Sequence, residues 1–140
     1  MASSRLARLV LGLNAAFSTA SGLLLSIFAE TATRALFDLS TPPTTTVRVT
    51  GILLVLFASF VAFAAMRRSL APSDVRGIAF ADLAWVSGSA VLLAGFGHFF
   101  TDLGMVAVAV VACAVGAFAV GQLVGAARMG DPNVGASEHP

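Results

Sequence analysis

Charge is nearly absent from four long stretches of this chain, residues 6–28, 47–66, 75–100 and 103–127, and no other feature restricts its fold as much. Arg8, Arg48 and Arg76 lie within the first few residues of their stretches, which leaves Asp82 as the one charged side chain well inside any of them. A hydrocarbon core about 30 Å thick is crossed by about 20 apolar residues in a helix. Each stretch meets that length. The expected fold is therefore all-α, a polytopic membrane protein built as a four-transmembrane-helix antiparallel bundle. The composition agrees: 58% of residues are apolar and 11% charged, against about 25% charged in soluble domains. A chain of 140 residues cannot hide so much apolar surface in a water-soluble fold, because small domains leave much of their surface exposed. Soluble globular, disordered and nucleic-acid-binding classes are excluded.

One transmembrane domain over residues 1–128 accounts for nearly the whole chain. Residues 129–140 contain Gly130, Pro132, Gly135 and Pro140 and read as a flexible cytoplasmic tail. Between the first two spans, Pro42 and Pro43 stop any helix. Ahead of them Ala32, Ala35, Leu36 and Leu39 recur at helical spacing, with Glu30, Arg34 and Asp38 off the stripe. Residues 30–40 thus read either as a short interfacial helix or as a solvated loop. Arginine sets the orientation. Arg5, Arg8, Arg67, Arg68, Arg76 and Arg128 fall on the side shared by the termini and the connection after the second span; only Arg34 and Arg48 fall opposite. Both termini are expected in the cytoplasm, and the imbalance argues against dual topology. The all-Arg, Ala-rich alphabet points to a high-GC bacterial genome and so to the inner (plasma) membrane. Arg5 and Arg8 before an apolar stretch also resemble a signal peptide, but the stretch exceeds the usual 7–15-residue apolar core. It also carries Asn14, Ser18, Thr19 and Ser21 midway, which favours a retained helix.

The alphabet removes much cofactor chemistry. All eight basic residues are Arg, so lysine Schiff bases, pyridoxal phosphate and phosphate-binding loops are excluded. Cys113 is the only cysteine, and the two histidines are His98 and His139. That set offers neither a bis-histidine haem site nor a zinc spacing. No cofactor, metal site or catalytic residue is expected. His98 and Asp102, four residues apart, form a weak pair near Glu30, Arg34 and Arg48. One histidine is a poor metal site, and interfacial anchoring beside Phe99 and Phe100 is the favoured reading.

In lipid, helices associate by close backbone approach and interhelical hydrogen bonds. The fourth span repeats small residues every four positions, at Ala109, Cys113, Ala117, Gly121 and Gly125. The second offers Gly51, Ala58, Ala62 and Ala65, and the third Ala84 and Gly88. The seam on the fourth span suits a sibling helix, a second copy of the chain or a larger membrane complex. Internal packing is favoured, because a four-helix chain must first close its own bundle.

An intramembrane carboxylate is costly and defaults to a functional hypothesis. At 1.5 Å per residue, Asp82 lies roughly 6–10 Å inside its span, Asn14 about 12 Å and Gln122 about 7 Å from the same side. Trp85 and Ser89 share the Asp82 face, and Ser18 and Ser21 continue the Asn14 stripe. Asn14, Ser18, Asp82, Trp85 and Gln122 therefore form the candidate binding cluster. The plainer reading makes it interhelical glue, with Arg8 or Arg76 reaching in to pair with Asp82. The sharper one is a polar pocket, closed by Trp85, for a headgroup, a small amphiphile or a proton.

The arginine-led first span, Val47-Arg48-Val49-Thr50-Gly51 opening the second, Asp82-Leu83-Ala84-Trp85 in the third and the small-residue fourth together resemble small bacterial DoxX-like four-helix membrane proteins. The resemblance covers nearly the whole chain and implies an inner-membrane bundle, in some cases linked to quinone or sulfur redox partners. It carries over no catalytic residue. The expected role is an accessory or binding subunit. The alternatives are a small-molecule or proton-coupled transporter using the polar cluster, and an enzyme acting on a lipid-like substrate through Asp82.

Overall fold

The computed structural model describes residues 2–41 and 43–129; the expected tail lies outside them from residue 130 onward. Five helices form, α1 (Ala2–Ile27), α2 (Ala29–Leu36), α3 (Thr44–Met66), α4 (Pro72–Phe96) and α5 (Asp102–Met129), with a 3₁₀ turn at Gly97–Phe99 between the last two. Four are long and apolar enough to cross a membrane. Their ends follow local chemistry. Pro43 accepts from the Val47 N–H at 3.0 Å and so starts α3 three residues before the apolar run. Pro72 occupies the first turn of α4 with Asp74 beside it, the position where a missing N–H and a negative charge are both favourable. Asp102 and Arg128 likewise complement the two ends of α5. The third span does not run unbroken to Phe100. It yields at Gly97 to the 3₁₀ turn, and Phe100 turns extended to pair with Phe37.

The helices do not pack in sequence order. α3 lies chiefly on α1, α1 on α5, and α5 on α4, so α3 and α4 are the outer members although a short loop joins them. Near that loop all four long helices share a core of Ala7, Leu11, Ala15, Val61, Ala64, Val75, Ile78 and Ala126. Arg8 secures this end by donating to the Ala65 carbonyl, and to the Arg68 carbonyl at 3.2 Å. A guanidinium there satisfies carbonyls that the end of α3 leaves free. Away from the loop, α3 and α4 follow their separate partners and diverge.

Small residues set which faces meet. A Cβ on Gly22 would lie 2.7 Å from the Gly51 carbonyl oxygen, and one on Gly51 would lie 2.6 Å from the Gly22 oxygen. α1 and α3 therefore touch backbone to backbone. Gly121 and Gly125 admit Val10 and Ala7 of α1, but Ala109, Cys113 and Ala117 are exposed. Only the lower part of the expected seam packs internally. At about 100° per residue, a four-residue repeat advances about 40° beyond a full turn at each step and winds around the helix. Ala84 and Gly88 are exposed as well, while Gly51 and Ala58 are buried.

α2 fully buries Ala29 and Thr33; of the expected stripe, Ala32 and Leu36 are half-buried and Ala35 and Leu39 exposed. Its far end is fixed to the start of α5. Thr101 donates through its hydroxyl to the Ala35 carbonyl at 2.7 Å and through its N–H to the Leu36 carbonyl at 3.0 Å. Gly104 leaves room for Leu36, whose carbonyl a Cβ there would strike.

The α1–α3 contact is testable. Gly51→Ala is expected to destabilise by about 1–3 kcal/mol through overpacking, seen as a lower unfolding midpoint in mild detergent. Gly12→Ala, whose new Cβ meets nothing within 4 Å, is expected to leave the midpoint in place; equal effects would rule the contact out.

Candidate functional site

Three side chains from three helices meet at Asp82. Asn14 Nδ2 of α1 donates to Asp82 Oδ2 at 2.7 Å, and Gln122 Nε2 of α5 donates to the same oxygen at 2.9 Å. Ser18, one turn along α1, donates to Asn14 Oδ1 at 3.2 Å. Asn14 and Gln122 are fully buried, and Asp82 retains 3% of its accessible surface. The helical rise had placed these groups at similar depth; the order of packing, with α1 and α4 both against α5, brings them together.

Neither arginine suggested for Asp82 reaches it. Arg8 is held by the Ala65 carbonyl of α3 and the Arg68 carbonyl just after it, and Arg76 is exposed. Among the described residues the ion pairs are Glu30–Arg34 at 3.8 Å and Arg67–Asp74 at 3.7 Å, both at the surface. Asp82 is therefore held by neutral amides alone. Both occupy Oδ2, and among the described residues no side chain donates to Oδ1. Gln122 Oε1, also buried, has no donor either. Two oxygens of the cluster, Asp82 Oδ1 and Gln122 Oε1, are thus left without a donor among the described residues.

Trp85 stands apart from the trio. It makes no side-chain hydrogen bond among the described residues and keeps 38% of its surface exposed. Ser89, the next turn along, spends its hydroxyl on the Trp85 carbonyl at 2.9 Å. Trp85 instead walls the space left where α3 and α4 diverge. That space is a cleft of about 930 Å³, and beside it lies a smaller cavity of about 240 Å³. Ser21, Thr50, Leu54, Ala81, Trp85 and Val111 line both parts. Asp82 and Ser18 line the smaller one and give the cleft a polar floor beneath apolar walls. Phe37 and Phe100, with ring centroids 4.5 Å apart, line the opposite end under α2.

Sequence reasoning raised a small polar pocket closed by Trp85 but did not find Thr50 and Leu54 in the walls, nor its extension into an apolar cleft. Its one signal lay in Ala81, Ala84 and Gly88, small residues beside Trp85 that leave volume unfilled. The His98–Asp102 pair does not form. Both residues are exposed, and His98 rests on Phe99 with ring centroids 3.9 Å apart. No group of metal-ligating side chains occurs among the described residues.

The chain matches no protein-family model, no curated protein and no solved structure.

Interhelical hydrogen bonds in membranes contribute about 0.6–2 kcal/mol each. Asn14→Ala and Gln122→Ala are each expected to lower stability by about that amount. On an Asp82→Ala background the further loss should largely vanish, because the shared acceptor is gone. Strict additivity in a double-mutant cycle would show that the amides act independently of Asp82.

Proposed function

We propose that this chain is a small, non-catalytic protein of a bacterial inner membrane that holds an apolar-tailed molecule taken from the bilayer, acting as a binding or accessory subunit. One observation carries the reading: the cleft between α3 and α4 shares six lining residues with a smaller cavity that is itself lined by Asp82. Polar groups serving only as glue would close the helices around themselves, yet here the carboxylate also lines a cavity. About 930 Å³ falls within the range of small-molecule sites, which are mostly apolar with a few placed polar groups. The core at the loop end favours binding over transport, since Leu11, Val61 and Val75 fill the space beyond the trio. Catalysis would rest on Asp82 alone, with no second acid or base beside it among the described residues.

On this reading both termini and the loop between α3 and α4 are cytoplasmic, because Arg5, Arg8, Arg67, Arg68, Arg76 and Arg128 gather there. The exposed Ala109, Cys113 and Ala117 on α5 would then offer a neighbouring helix or a second copy a close-packing face.

Mass spectrometry of the gently solubilised chain tests the proposal. A non-covalent adduct of one apolar molecule is expected. Gly88 borders the cleft, and a Cβ there meets nothing within 4 Å, so Gly88→Phe is expected to fold and to lose the adduct. A bare wild-type protein, or an adduct indifferent to Gly88→Phe, would sink it. For orientation, a green fluorescent protein fused to the C-terminus is expected to fluoresce and alkaline phosphatase there to stay inactive; the reverse would place the termini outside.

A further inference from the structure

We infer that the cleft selects its occupant by an ammonium head, so that the ligand is an amphiphile with a cationic amine at one end and an apolar tail. The inference rests on the binding role proposed above and adds the chemistry of the head.

One oxygen at the floor of the cleft has no protein donor among the described residues. Asp82 carries two acceptor oxygens, and both amide donors converge on Oδ2 at 2.7 and 2.9 Å. Ser18 turns its hydroxyl proton to Asn14 at 3.2 Å. Oδ1 thus has no protein donor among the described residues, on a side chain that lines the cavity. Two N–H donors on one oxygen leave the other free to meet a donor brought by a ligand. As an anion in this buried site Asp82 would need a counter-charge, and among the described residues no cation lines the cavity beside it. No arginine lines either part of the cleft, and the sequence has no lysine.

Three head chemistries can be ranked on these facts. A carboxylate or phosphate head meets like charge with no cation to receive it. A hydroxyl donates one hydrogen bond to Oδ1 but leaves the charge uncompensated. An ammonium donates and also neutralises, in a low-dielectric site where the pairing is strongest. The tail follows from the walls, where Leu24, Leu54, Leu92 and Phe96 lead away from the floor towards α2.

Trp85 is the only tryptophan and lines both parts of the cleft, so its fluorescence reports occupancy directly. The probes are an alkyl amine, alcohol and carboxylate of one chain length, each with a quenching bromine on the chain, added at neutral pH to the full chain in neutral detergent micelles. Quenching of the Gly88→Phe variant sets the background from partition into the micelle. The amine is expected to saturate at a concentration at least tenfold below the carboxylate, equivalent to about 1.4 kcal/mol, with the alcohol between them. Asp82→Asn is expected to bring the amine to the level of the alcohol. Competition by added phosphatidylethanolamine would assign the ammonium to a phospholipid, and its absence to a free amine; either keeps the ammonium.

A carboxylate or alcohol that binds as well as the amine, or an amine preference that survives Asp82→Asn, would overturn the inference and leave the cleft as a site of other chemistry. Failure of every probe to exceed the Gly88→Phe background would overturn the binding role as well. If Asp82→Asn does not fold, the three heads compared on the unaltered chain decide the matter alone.

Discussion

Asp82 lies between α1, α4 and α5 only because Asn14 and Gln122 place two N–H donors on one of its oxygens. A carboxylate inside a span costs about 2.5–3.5 kcal/mol on insertion scales, and a pair of neutral hydrogen bonds offsets only part of that. The arrangement therefore constrains the helices more than it stabilises them. α1, α4 and α5 must hold their depth and rotation relative to one another, or the carboxylate loses a donor. α3 has no such tie and is placed instead by the contact between Gly22 and Gly51.

These two kinds of attachment explain why the bundle opens on one side. Lipid tails are as apolar as leucine, so no hydrophobic force draws α3 and α4 together. They approach only where side chains interlock, at the core beside their loop. Beyond Val61 and Ile78 their facing surfaces hold Thr50 and Leu54 on one side and Ala84, Trp85 and Gly88 on the other. Small residues on α4 permit close approach, but they meet no complementary surface on α3. The empty volume is thus a consequence of α1 and α5 acting as separate partners for the two outer helices.

Much of this was legible in the sequence, and the rest was hidden for definable reasons. The four spans could be read because charge marks their ends. The trio could be read because a single carboxylate, an asparagine and a glutamine at matching depth are conspicuous against an apolar background, and depth follows from helical rise alone. Rotation about the helix axis does not. The five-residue seam on α5 looked continuous in one dimension but winds away from α1, leaving Ala109, Cys113 and Ala117 outside. The buried face of α2 depends on where Gly104 admits Leu36, a contact between segments about seventy residues apart. A cleft is harder still, since it is defined by residues that fail to meet.

The position of the polar floor bears on how an occupant would arrive. In the orientation proposed above, with the arginine-rich end in the cytoplasm, the trio would lie in the cytoplasmic half of the bilayer and the apolar walls would extend outward from it. An amphiphile of the inner leaflet already points its head to the cytoplasm and its tail to the midplane. It could enter between α3 and α4 without inverting, its head dipping below the interface to reach Asp82. Entry from water would instead require the charged head to pass the core of Leu11, Val61 and Val75, or the aromatic end at Phe37 and Phe100 followed by the full length of the apolar walls. The sideways opening that follows from the helix order is the one route along which neither the tail is exposed to water nor the head carried through the whole bilayer.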